Sequence, residues 1–190
     1  MSMIAKYVAL SEADLQAVIA QPSLAQNLFL SIRRTGALQA VGGRPQLRVV
    51  GAEPPSQIAP RAQLSLDKAW HGVHYLLCGR AEEAPGDLAK AVMGGRALGS
   101  DPQGFSGYGP ARYFKPTDVD VISAVLNDPA VVRNAEARFD CDKMDELGIY
   151  PGWDDEEDEG RDWVLDALRD LCGFYAAASR DRLAIVTCIV

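Results

Sequence analysis

Leu183–Val190, LAIVTCIV, is an apolar run interrupted only by Thr187. Ile185, Val186, Thr187, Ile189 and Val190 are β-branched, which suits a pleated strand and disfavours a helix. Apolar residues at successive positions, rather than alternate ones, predict a strand covered on both faces. Ile4–Leu10, IAKYVAL, reads the same way at the other end of the chain. Two such strands, separated by stretches of helical periodicity, predict an α+β fold. It has one small mixed sheet in which the N- and C-terminal strands are neighbours, packed by several helices.

Between the strands the spacing predicts helices. Ser11 caps the first, with Asp14 three residues on and Leu15, Val18 and Ile19 on its apolar face. Pro22 separates it from a second helix carrying Leu24, Leu28 and Ile32. Leu66–Cys78 reads as one helix, capped by Ser65 and stopped by Gly79, with Leu66, Trp70, Val73 and Leu77 as its buried stripe. A short helix near Asp87–Met93 ends at Gly94. Pro116 opens another that buries Val119, Ile122 and Leu126. Asp128–Leu147 reads as one or two helices stopped by Gly148. A long helix, Arg161–Ser179, buries Val164, Leu168, Leu171 and Tyr175. Residues 36–63 hold Gly42-Gly43, Pro45, Pro54-Pro55 and Pro60, and read as a long mobile loop with a short edge strand at Leu47–Val50.

A chain of 190 residues, 48% apolar, can bury one good core, so a single domain spanning 1–190 is expected. The formal charge of −7 argues against nucleic acid or an anionic membrane surface as partner and favours a basic protein. No apolar run approaches the roughly 20 residues of a membrane span, and MSMIAKYVAL lacks the pattern of a signal peptide. The four cysteines, Cys78, Cys141, Cys172 and Cys188, form no CxxC pair and read as reduced thiols in a cytoplasm.

Three segments could carry chemistry. His71, His74 and Cys78 share one helix face, as zinc ligands or a thiol–imidazole dyad would. The glutamate of HExxH is missing and no third histidine exists, so no metal and no cofactor are expected; the imidazoles read better as partners of neighbouring loops. In Asp101–Arg112, DPQGFSGYGPAR, glycines would let backbone amides approach a ligand, while Tyr108 and Arg112 supply a phenol and an anion clamp. The sequence matches neither a Walker loop nor a dinucleotide fingerprint. These segments define one candidate pocket for a small anionic ligand: His71, His74, Tyr75, Asp101, Tyr108 and Arg112. The alternative is that Arg112 pins the loop by pairing with a carboxylate such as Asp67 or Asp101. The acid run Asp154–Glu159 lacks calcium-loop spacing and reads as a solvated loop favouring the start of the long helix.

Several motifs together resemble the YfbM-like family of small bacterial proteins, a domain family of unknown function. They are MSMIAKYVALSEADL, LDKAWHGVHYLLCG, LAKAVMGG, GYGPARYFKPTDV, LGIYPGW and LCGFYAAASRDRLAIVTCIV. They cover nearly the whole chain apart from much of residues 36–63. The resemblance implies a single α+β domain of a bacterial cytosol and brings no catalytic residues with it. Lys115 stands where the family often places a threonine before the proline, which predicts a weaker helix cap. The function expected from all this is a non-enzymatic cytoplasmic binding protein, in one form an immunity-type protein covering a toxin's active site. The alternative is an enzyme or small-molecule binder acting on an anionic substrate through the His/Tyr/Arg pocket.

Overall fold

β1 (Ala5–Leu10) and β5 (Ala184–Ile189) pair antiparallel from Ala5↔Ile189 to Leu10↔Ala184. The computed structural model describes residues 2–30, 58–153 and 157–190. Within these, β2 (Ala62–Asp67), β3 (Arg96–Ala97) and β4 (Arg112–Phe114) complete a five-stranded sheet of order β2-β1-β5-β4-β3. The α+β class stands, and both terminal strands lie in the sheet. The pairing is not mixed, however: all four strand pairs are antiparallel.

Every residue of β1 is buried, as are Ala184–Cys188 of β5, because the sheet is covered on both faces. On one face Ala5, Tyr7, Ala9 and Ile185 pack under α3 (Trp70–Cys78), α4 (Asp87–Met93), α5 (Pro116–Leu126) and α8 (Glu157–Arg180). On the other, Val8, Leu10, Val186 and Cys188 meet α1 (Glu12–Ala20) and α2 (Ser23–Leu30). The expected stripes Val119/Ile122/Leu126 and Val164/Leu168/Leu171/Tyr175 are all buried, and of Leu15, Val18 and Ile19 the first two are buried and Ile19 half-buried against them. Buried phenols are matched: Tyr7 Oη donates to the Val92 carbonyl at 2.9 Å and Tyr175 Oη to Ala91 at 3.0 Å. Asp128–Leu147 resolves into α6 (Pro129–Arg138) and α7 (Cys141–Glu146).

Three expected boundaries move. Ser65 and Leu66 belong to β2 rather than to a helix. Pairing with the flank of β1 (Lys6↔Ser65, Tyr7↔Leu64) overrides local helix propensity, and Asp67 turns the chain at φ +48° before α3 starts at Trp70. Ser65 therefore caps no helix, although Leu66 is buried as expected. The long helix begins at Glu157, so Asp158 and Glu159 lie in its first turn instead of a loop, where carboxylates favour the positive end of the dipole. Ala62 and Gln63, placed in a loop by sequence, are strand; the proposed strand Leu47–Val50, Ile32, and Asp154–Glu156 lie outside the described residues. At Lys115 the side chain gives α5 no Thr-type cap, but Asp118 Oδ2 accepts from the Lys115 backbone N–H at 3.0 Å.

Candidate functional site

α3 carries both histidines. It ends at Gly79, at φ +72°, whose backbone N–H closes the helix by a hydrogen bond to the Tyr75 carbonyl. Trp70 lies against the core, 6% exposed, and its ring stacks on His71 at 4.9 Å. His71 Nε2 donates to the Ala81 carbonyl at 2.8 Å, and Nδ1 accepts the Tyr150 backbone N–H at 3.0 Å. A carbonyl can only accept and an amide only donate, so this pair of bonds fixes the neutral tautomer. The ring ties the turn after α3 to the Ile149–Trp153 segment and has no lone pair left for a metal.

His74 is fully buried, and its Nε2 donates to the Glu82 carbonyl at 2.9 Å. The Ala89 backbone is close to the ring, yet Nδ1 makes no hydrogen bond among the described residues. Cys78 Sγ lies 3.3 Å from the same Nε2, but that nitrogen already carries its proton toward Glu82; the thiol donates instead to the His74 carbonyl at 3.0 Å. Burial lowers the His74 pKa and raises that of Cys78. Both shifts oppose an imidazolium–thiolate pair, so the geometry holds a neutral imidazole and a neutral thiol. Among the described residues no cluster of three or more His, Cys, Asp or Glu side chains is arranged to hold a metal.

The buried imidazole has a pH consequence. A pKa held below the ordinary histidine value of 6.5 means the folded state resists protonation more than the unfolded chain. The stability it contributes is fully present above pH 6.5 and is lost as the pH falls through the lower folded value. Unfolding free energy should therefore decline as the pH falls below 6.5. His74→Gln, which keeps a donor for Glu82, should flatten that decline; an unchanged slope in denaturant titrations would contradict the assignment.

The sheet divides the remaining candidates. Arg112 pairs with Thr187 across β4 and β5 and lies on the α3/α4 face, its stem against Gly94. Its guanidinium binds Glu83, with Nη1–Oε1 at 3.1 Å and Nη2–Oε2 at 3.5 Å. The loop-pinning carboxylate is thus Glu83, neither Asp67 nor Asp101. Glu82 and Glu83 link His74 and Arg112 through one turn, and Tyr75 is buried in the same core. Asp101 and Tyr108 lie in the 98–111 connection, which packs through Leu98, Phe105 and Ala111 on the opposite face. Tyr108 is exposed at 37%. The six residues are therefore not brought into one cavity. The Arg112 and Glu83 side chains are 30% and 60% exposed, and such a pair contributes about 0–1 kcal/mol. Arg112→Ala should shift the melting midpoint by no more than about 4 °C; a larger shift in a calorimetric scan would show that the pair anchors the fold.

A pocket does form at the 98–111 connection, on a side that sequence reasoning missed. About 310 Å³ lies between this segment and the first turns of α2. Ala25, Leu98 and Ala111, all buried, make its floor. Phe105 forms one wall and stacks on Phe29 of α2, centroids 6.1 Å apart. Ser23, Gln26, Ser100 and Asp101 stand exposed at the rim. Gly104 shapes the loop: at φ +61°, a Cβ there would sit 2.1 Å from the Gly109 carbonyl oxygen, where the loop closes by a Gly109 N–H to Gln103 O bond of 3.0 Å.

Fold and motifs together define a class: the chain belongs to the DUF1877 family, a domain of unknown function, whose profile matches residues 1–188. Among solved structures it is similar to a protein of unknown function, YfbM from Escherichia coli, with a TM-score of 0.66 and 16% sequence identity over 98% of this chain and 99% of that one. At that identity the likeness concerns the fold. No curated protein matches the sequence. Among the described residues no helix is long and apolar enough to cross a membrane.

Proposed function

We propose that this chain is a non-enzymatic binding protein that presents the outer face of α8 to a basic protein partner. The observation that carries the reading is a stripe on that helix. Glu159, Asp162, Asp166 and Asp170, spaced three or four residues apart, are all exposed, opposite the buried Val164, Leu168, Leu171 and Tyr175. Trp163 stands on the same face, 38% exposed, its ring 5.9 Å from that of Trp153. An amphipathic aromatic among carboxylates suits an interface in which charge steers the partner and an apolar contact holds it. Arg169 neutralises part of the stripe through Asp166 at 2.7 Å and also reaches Glu136 of α6 at 3.5 Å. The groups best suited to chemistry are meanwhile engaged in structural bonds: His71 between the Ala81 and Tyr150 backbones, His74 on the Glu82 carbonyl, Arg112 on the Glu83 carboxylate. Cys78, Cys172 and Cys188 are free thiols, in keeping with a cytoplasmic setting. An immunity-type protein that covers a basic toxin is one form of this reading.

The test is affinity purification from the native host with the wild-type chain and with a variant carrying Glu159→Gln, Asp162→Asn, Asp166→Asn and Asp170→Asn. A basic protein recovered with the wild type, and lost with the variant and at raised salt, is the expected result. Equal recovery on both chains, or recovery insensitive to salt, would remove α8 from the reading.

A further inference from the structure

We infer that the pocket between α2 and the 98–111 connection is a binding site for a small organic cation: an apolar body carrying an ammonium or amidinium group. Its volume, about 310 Å³, falls at the lower end of ligand pockets, so the body must be small, of the size of one six-membered ring. The floor of Ala25, Leu98 and Ala111 and the ring of Phe105 offer that body apolar contact. The sign of the polar end follows from the rim. Among the residues lining the pocket Asp101 is charged, and no lysine, arginine or histidine accompanies it. Its Oδ1 accepts the Gln103 backbone N–H at 3.0 Å, and Oδ2 makes no hydrogen bond among the described residues. A carboxylate with one oxygen committed to the loop and the other open beside an apolar floor is pre-oriented to accept from a cation, and such a charge-assisted bond is stronger than a neutral one. Ser23 and Gln26, from α2, can accept the remaining protons of an ammonium or amidinium. Arg112, the anion clamp suggested by sequence, is on the other face of the sheet and paired with Glu83, so no basic side chain lines this pocket to hold an anion.

The experiment uses the 190-residue chain with labelled methyl groups and three probes of similar shape: benzylamine, benzyl alcohol and benzoate. Benzylamine should shift the methyl resonances of Ala25, Leu98 and Ala111 saturably, with a dissociation constant on the order of 1 mM. Benzyl alcohol should bind about tenfold more weakly and benzoate not at all. Asp101→Asn retains the acceptor that closes the turn on Gln103 but removes the charge, so it should erase the preference for benzylamine over benzyl alcohol while the melting temperature stays put. Absence of saturable shifts with benzylamine at about ten times that concentration would overturn the site. A benzoate affinity equal to that of benzylamine, or a cation preference that survives Asp101→Asn, would overturn the role given to Asp101.

Discussion

Replacing Trp70 with alanine should lower the unfolding free energy by about 3–5 kcal/mol. The indole is 6% exposed in the larger core, stacks on His71, and donates its Nε1–H to the Met3 carbonyl at 3.2 Å. Truncation would open a cavity, leave the Met3 carbonyl without its donor and release the ring against which His71 lies. Trp70→Phe keeps much of the volume and should recover more than half of the loss. A deficit below about 1 kcal/mol for the alanine variant in chemical unfolding would mean that the ring is not packed as described.

The second large effect centres on Trp153. The ring lies against α3 at Gly72: a Cβ at that position would sit 2.6 Å from Trp153 Cζ2 and 2.9 Å from Val164 Cγ2. Phe139 meets it edge-on at 6.0 Å and Trp163 covers its outer side. Trp153→Ala should cost about 3–5 kcal/mol. Gly72→Ala alone should cost about 1–3 kcal/mol, because the overlap outweighs the better helix propensity of alanine. The two should not add. With the indole gone, the alanine methyl enters the vacated space, and the double variant should be more stable than Trp153→Ala by itself. Strict additivity in a double-mutant cycle would show that Gly72 and Trp153 are not in contact.

These contacts explain which parts of the molecule were legible in the sequence. α5 and α8 are amphipathic helices with apolar positions every three or four residues, and their buried stripes were read residue by residue. β1 and β5 declared themselves as apolar runs interrupted only by Lys6 and by Thr187. The start of α3 was misread because Ser65-Leu66-Asp67 has good helix-start chemistry, and only the neighbouring β1 makes it a strand. β3 and β4 are two and three residues long, too short for any period to appear. That omission decided the reading of the site. Once Arg112, Tyr113 and Phe114 form a strand, adjacent side chains point to opposite faces, and Arg112 parts from the glycine-rich connection that precedes it. The histidines were placed on the correct helix. Their partners, the Ala81, Glu82 and Tyr150 backbones, are main-chain groups and leave no trace in residue type. The pocket brings α2 beside a segment far along the chain, a contact that no local pattern announces.

The pairing of β1 with β5 also governs when the molecule can fold. The amide and carbonyl of Ile4 each bond to Val190, at 2.8 and 2.9 Å, so the first strand waits for a partner made almost a whole chain later. At a synthesis rate of about 5–20 residues per second, the interval is roughly 10–35 s. Throughout that time an apolar six-residue segment has no native neighbour on its β5 side. Helices α1, α5 and α8 can form early from local contacts, but neither half of the core can close over the sheet until β5 emerges. Refolding from denaturant should therefore be limited by closure of this long loop rather than by helix formation.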